Sequence, residues 1–197
     1  MHVPWVKVCG ITNVRDARLA EVSGADAVGI VVTPGDPRAV RLDDAAEIAG
    51  ALTIEVVAVL QISDLPVLRD VQLAVGPRRL QVEGEAPHDA LAIPWYRALG
   101  FTGRSDLAVL ARAPGDRVLV RIAPALLPGG RPSGGDRTLL QELGRAAAVV
   151  VGAPAGGLEA LCREVRPAGV DLREAVEREP GVLDPERLRA AMQQLGR

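Results

Sequence analysis

The chain has 197 residues, a net charge of −2, 48% hydrophobic residues and 24% charged residues, the make-up of a globular protein with one substantial core. Its basic residues are dispersed and its aromatics reduce to Trp5, Trp95, Tyr96 and Phe101, which speaks against a nucleic-acid surface. No apolar run nears the roughly 18 residues of a membrane span, and MHVPWVKVCG lacks the basic-then-apolar pattern of a secretory signal, so a reducing cytoplasm is expected. Cys9 and Cys162 make neither a metal-type spacing nor a disulfide framework, so no metal is expected. With so few aromatics, Val, Leu, Ile and Ala must fill the core. Nearly all the basic residues are Arg, with Lys7 the only lysine, a bias that reads as GC-rich coding.

In chain order, Val6–Cys9 predicts a strand, and Asn13 caps a helix that runs to Ser23. Ala27–Val32 predicts a second strand, closed by the turn residues of Pro34–Pro37, then a helix over Leu42–Ala51 and a strand over Ile54–Leu60. These continuous apolar runs suit a parallel sheet covered on both faces. A helix over Asp64–Val71 and strands over Arg79–Glu83 and Trp95–Leu99 follow. Gly84–Pro94 is too short for a full crossover helix, so that helix should be shortened or missing. Helix Ser105–Ala113, strand Val118–Ile122, helix Thr138–Leu143, strand Ala147–Val151, helix Leu158–Val165, strand Val170–Leu172 and helix Pro185–Leu195 complete the pattern. Eight strand candidates alternating with helices predict an α/β fold, a single (β/α)8 TIM barrel over residues 1–197. A doubly wound open sheet is the alternative.

In a barrel, chemistry sits where strands end. The first strand ends in Lys7-Val8-Cys9-Gly10-Ile11-Thr12. Gly24-Ala25-Asp26-Ala27-Val28-Gly29 leads into the second, with Asp36-Pro37-Arg38 in the loop beyond. Gly169-Val170-Asp171 and Pro180-Gly181-Val182-Leu183-Asp184-Pro185-Glu186-Arg187 stand near the end. Taken in order along the whole chain, these motifs resemble phosphoribosylanthranilate isomerase, the tryptophan-pathway barrel. The resemblance implies an Amadori rearrangement without a cofactor. A ribosylamine ring opens with the help of a general acid, and a general base takes the C2 proton. It places the base on Cys9 and a grip on the anthranilate end on Arg38.

The family pattern then breaks. Its sixth strand ends L-L-D, whose Asp is the acid, whereas this chain reads Val118-Leu119-Val120-Arg121. A guanidinium stays charged and cannot deliver a proton. The family's fourth strand ends Q-L-H-G, and here Gln81-Val82-Glu83-Gly84 brings a carboxylate to the mouth. Its three glycine loops, which hold phosphate by backbone N–H groups, become Gly129-Gly130-Arg131-Pro132, Gly152-Ala153-Pro154 and Arg173-Glu174-Ala175. Pro132 and Pro154 have no N–H, and Glu174 adds negative charge, though Arg131 and Arg173 can still take a phosphate by side chain.

The expected site is therefore Cys9, Glu83, Arg121 and Asp171 as catalytic groups, with Arg38, Arg131 and Arg173 binding substrate. Glu83 and Arg121 are expected within direct or water-bridged reach, lining a pocket that includes Cys9. Pairing purely as a structural salt bridge is the bland alternative. Cys162 reads as helix packing, and His2 and His88 are given no role. The rewritten mouth points to a small molecule lacking a phosphoribosyl group, in specialised metabolism, turned over by an isomerase, cyclase or lyase step with no measurable conversion of phosphoribosylanthranilate. A genuine phosphoribosylanthranilate isomerase and a non-catalytic binding barrel are the competing readings. Small molecules are the expected partners, with no nucleic acid or membrane and a monomer or homodimer as the assembly.

Overall fold

The computed structural model describes residues 4–61, 65–83, 93–110, 117–123, 126, 134–146, 149–152 and 158–197. Eight parallel strands close into a barrel in chain order. They are β1 (Trp5–Cys9), β2 (Ala27–Val31), β3 (Glu55–Gln61), β4 (Arg79–Glu83), β5 (Trp95–Phe101), β6 (Val118–Ile122), β7 (Val149–Gly152) and β8 (Gly169–Leu172). Helices α1 (Val14–Val22), α2 (Leu42–Gly50), α3 (Leu65–Val75), α4 (Asp106–Leu110), α5 (Gly134–Ala146), α6 (Leu158–Val165) and α7 (Pro185–Gln194) lie between and after them. The open-sheet alternative is excluded, because β8 pairs with β1 through Lys7↔Asp171 and its neighbours. The Gly84–Pro94 connection, where a helix was expected to shrink, falls largely outside the described residues.

Local chemistry fixes the helix starts. The Asn13 side chain accepts from the Asp16 N–H at 2.9 Å, and Asp184 accepts from Glu186 and Arg187 with Pro185 at the first helical position. Each such cap is worth about 1 kcal/mol. Helix α5 is longer than its apolar pattern predicts, starting at Gly134 rather than Thr138. A short antiparallel hairpin, β9 (Glu177–Glu179) with β10 (Val182–Leu183), was not foreseen. Its strands are too short to show alternation.

Strands such as β2, buried at every position, pack one face on the helices and the other on the barrel interior. The inner face is apolar at the bottom, where Ala27, Val57, Tyr96, Ala98 and Leu119 cluster with Trp5. Burying an aliphatic side chain fully contributes about 1.5–3 kcal/mol, so this layer plugs the barrel. Cys9, Val31 and Val59 pack together nearer the C-terminal ends of their strands. Between and around these layers the interior turns polar.

Candidate active site

The polar interior starts from Lys7. As an inward residue of β1 it is 0% exposed, and its ammonium donates to Gln81 Oε1 and lies 3.4 Å from Asp171 Oδ1. Tyr96, also fully buried, donates its hydroxyl to the same Gln81 oxygen at 3.2 Å, and its ring centroid lies 5.8 Å from Lys7 Nζ. Burial pulls the Lys7 pKa down, but Asp171, Cys9 and Tyr96 outweigh it and hold the ammonium charged. Burial pushes the Asp171 carboxyl up, against the pull of Lys7 and then Arg121. Asp171 Oδ1 has no hydrogen bond, so this ion pair is its compensation inside the barrel.

Cys9 stands two residues beyond Lys7, on the same face of β1. Burial raises its thiol to about 11, with the Lys7 charge the main opposing influence. The neighbouring strand makes room for the sulfur with Gly29, where a Cβ would sit 2.7 Å from Cys9 Sγ. A thiol with a fixed cation beneath it and no bulk beside it is suited to taking a proton once ionised.

At the mouth, the Glu83 carboxylate meets Arg121 across from β6, as expected. Arg173, just beyond β8, reaches over the opening to within 3.9 Å of Glu83 and donates to Asp36 at 3.2 Å. Glu83 and Arg173 line a cavity of about 410 Å³ with Val31, Asp36, Val59 and Gln61. Cys9 itself is not in that lining. It lies against Val31 and Val59, so the expected shared pocket is a cavity with the thiol behind its wall. A larger cavity of about 630 Å³ sits at the other end of the barrel, between Pro4, α6 and α7, away from these groups.

Arg38 is less free than the motif suggested. Its Nε and Nη2 donate to the two Glu177 oxygens, each at 2.7 Å, and Glu177 also accepts from the Gly181 N–H at 3.1 Å. This buried fork ties the β2 loop to the β9–β10 hairpin, leaving Nη1, 3.9 Å from Asp36, turned elsewhere. Gly10 is required beside it, since φ is +85° and a Cβ would meet Glu177 Oε1 at 2.7 Å. Arg131 lies outside the described residues.

Lys7, Gln81, Tyr96 and Glu177 were missed at the sequence level. Lys7 and Gln81 were detectable in principle, because each precedes a chosen residue, Cys9 or Glu83, by two positions on a strand. Among the described residues no group of three or more His, Cys, Asp or Glu side chains could hold a metal ion, and no helix is long and apolar enough to cross a membrane.

A closed parallel barrel with a thiol, a buried ammonium and an ion-paired carboxylate near the C-terminal strand ends is the architecture of a β/α-barrel enzyme. The chain matches no protein-family model. It is 33% identical over 202 residues to the N-(5'-phosphoribosyl)anthranilate isomerase of one strain of Rhodopseudomonas palustris, covering 94% of this chain and 92% of the relative. With the enzyme of that name from Stutzerimonas stutzeri it is 34% identical over 192 residues, covering 93% of each. Among solved structures, phosphoribosylanthranilate isomerase from Thermotoga maritima superposes with a TM-score of 0.85 at 25% identity, over 98% of both chains. The enzyme from Thermus thermophilus gives 0.80 at 27% identity, over 97% of this chain and 98% of that one. The chain belongs to the phosphoribosylanthranilate isomerase family.

This overturns the expectation of a different, non-phosphoribosyl substrate. That expectation weighed a few altered mouth residues above a likeness that runs the length of the chain. The physical reason is that the changes are confined to side chains at the mouth, which a barrel can exchange without altering its scaffold, while Cys9 above its buried cation is kept.

Proposed function

We propose that this chain catalyses the Amadori rearrangement of N-(5'-phosphoribosyl)anthranilate to its 1-deoxyribulose isomer, with Cys9 as the base that takes the C2 proton. The observation that carries it is the placement of Cys9 at the end of β1, above the Lys7 ammonium and beside Gly29. A positive charge beneath the sulfur favours the thiolate the reaction needs, and Asp171 keeps that charge in place. Arg121 contributes charge and hydrogen bonds rather than a proton. One solved relative was captured with reduced 1-(o-carboxyphenylamino)-1-deoxyribulose 5-phosphate, a ligand with a carboxylate at one end and a phosphate at the other. In this chain Arg38 would meet the carboxylate through Nη1, the nitrogen its fork on Glu177 leaves over, and the side chains of Arg131 and Arg173 would serve the phosphate in place of lost backbone donors. The reading treats residues 1–197 as one cytoplasmic barrel domain acting as a monomer or homodimer, without a cofactor.

The direct test is incubation of purified protein with N-(5'-phosphoribosyl)anthranilate and chromatographic separation of the two isomers. Enzyme-dependent conversion is expected, with rescue of a tryptophan auxotroph lacking this step. Absence of both overturns the reading. Binding through Arg173 has its own signature. Arg173→Met is expected to raise KM by roughly 10–100-fold with kcat little changed, the worth of one charge-assisted hydrogen bond. A fall in kcat at constant KM would move Arg173 out of the binding role.

A further inference from the structure

Resting on the isomerase reading, we infer that Glu83 is the general acid that opens the ribosylamine ring, and that Arg121 is the residue that positions it. Ring opening needs a proton at the furanose oxygen. Asp171 is buried and tied to Lys7, and the Tyr96 hydroxyl is committed to Gln81 at the same depth. Asp36 lines the same cavity, but it lies in the loop after β2, where it accepts from the Arg38 N–H at 2.8 Å and from Arg173. Glu83, 33% exposed, ends β4 instead and faces Arg121 of β6 across the mouth.

The pattern of its contacts suits the role. The Gln81 amide at 3.3 Å, the Arg121 guanidinium and the more distant Arg173 guanidinium all address Oε1. Among the described residues these donors all address one oxygen, and Oε2 is the atom left to meet the substrate. Arg121 reaches this carboxyl from the penultimate position of β6, so a side chain of suitable length at position 121 lies within hydrogen-bond reach of the same place.

The reaction then balances. Glu83 gives its proton to the ring oxygen as the bond from that oxygen to C1 breaks, and the nitrogen lone pair forms the C=N bond of an iminium. The Cys9 thiolate takes the C2 proton, the C2–H electron pair becomes a C1=C2 bond, and the C=N π pair returns to nitrogen. Cys9 then protonates C1 while the C2 hydroxyl returns its proton to the Glu83 carboxylate, leaving the ketone and restoring both residues.

The test compares wild type, Glu83→Gln, Arg121→Asp and the double variant Glu83→Gln/Arg121→Asp in the chromatographic assay, with melting curves for each. Glu83→Gln keeps the shape and loses the proton, so kcat is expected to fall about 100-fold with KM within about threefold of wild type. The double variant returns a carboxyl to the same neighbourhood from β6, and is expected to recover about tenfold or more over Glu83→Gln. A salt bridge of purely structural importance predicts no such recovery. An active wild type whose Glu83→Gln variant stays within about threefold in kcat, or a double variant no better than the single, overturns the assignment alone. A wild type that does not convert the substrate overturns the isomerase reading, and this assignment with it.

Discussion

Replacing Cys9 with alanine is expected to lower kcat by about 10⁴-fold while KM stays within about threefold, because the base acts on a carbon-bound proton and takes no part in holding the substrate. The melting temperature should hardly change, since alanine fits the space beside Gly29. Wild-type kcat/KM should climb with pH from neutrality upward, because burial raises the Cys9 thiol to about 11 and thiolate is scarce below that. The stability side has a definite sign. A folded-state value above the ordinary thiol value of 9.0 means the folded protein prefers the protonated thiol. The contribution is complete below pH 9 and is lost as pH rises through about 11. Alkylation by iodoacetamide in a Cys162→Ser background would follow the thiolate directly, the background being needed because Cys162 is also raised to about 11. A profile of kcat/KM that is flat from pH 7 to 9 would remove Cys9 from the role of base.

The second large effect is on stability. Lys7→Met removes the ammonium that neutralises Asp171 and donates to Gln81, in a place no water reaches. Leaving a buried charge without its partner costs about 3–5 kcal/mol. For a domain of this size each kcal/mol moves the melting temperature by about 2–4 °C, so a fall of roughly 6–20 °C is expected. Adding Asp171→Asn should restore part of the loss, because the uncompensated charge is gone. A Lys7→Met protein melting within about 2 °C of wild type would show that Asp171 is already neutral there.

The sequence alone determined the architecture. Continuous apolar runs, Asn13 before one helix and Asp184-Pro185 before another, and eight strands in alternation with helices led to a closed barrel, and the barrel is what forms. It also placed Cys9, Glu83 and Arg121 at strand ends, and joined Glu83 to Arg121 before the geometry was known. The sequence could not assign the barrel interior. In a strand buried on both faces the apolar run hides which side chains point inward, and only the two-residue spacing from Cys9 marks Lys7 as sharing its face. Lys7 was given no role, although closure of β8 onto β1 sets it against Asp171 and β4 brings Gln81 to it. The same limit hid Glu177. Its grip on Arg38 depends on a hairpin of five strand residues returning over the β2 loop, a long-range approach that no local pattern encodes. The identity of the substrate was misjudged for a different reason. The pairing of Glu83 with Arg121 was read correctly, but it was taken as the mark of a new substrate, because side chains at the mouth were weighed above a likeness that runs the length of the chain.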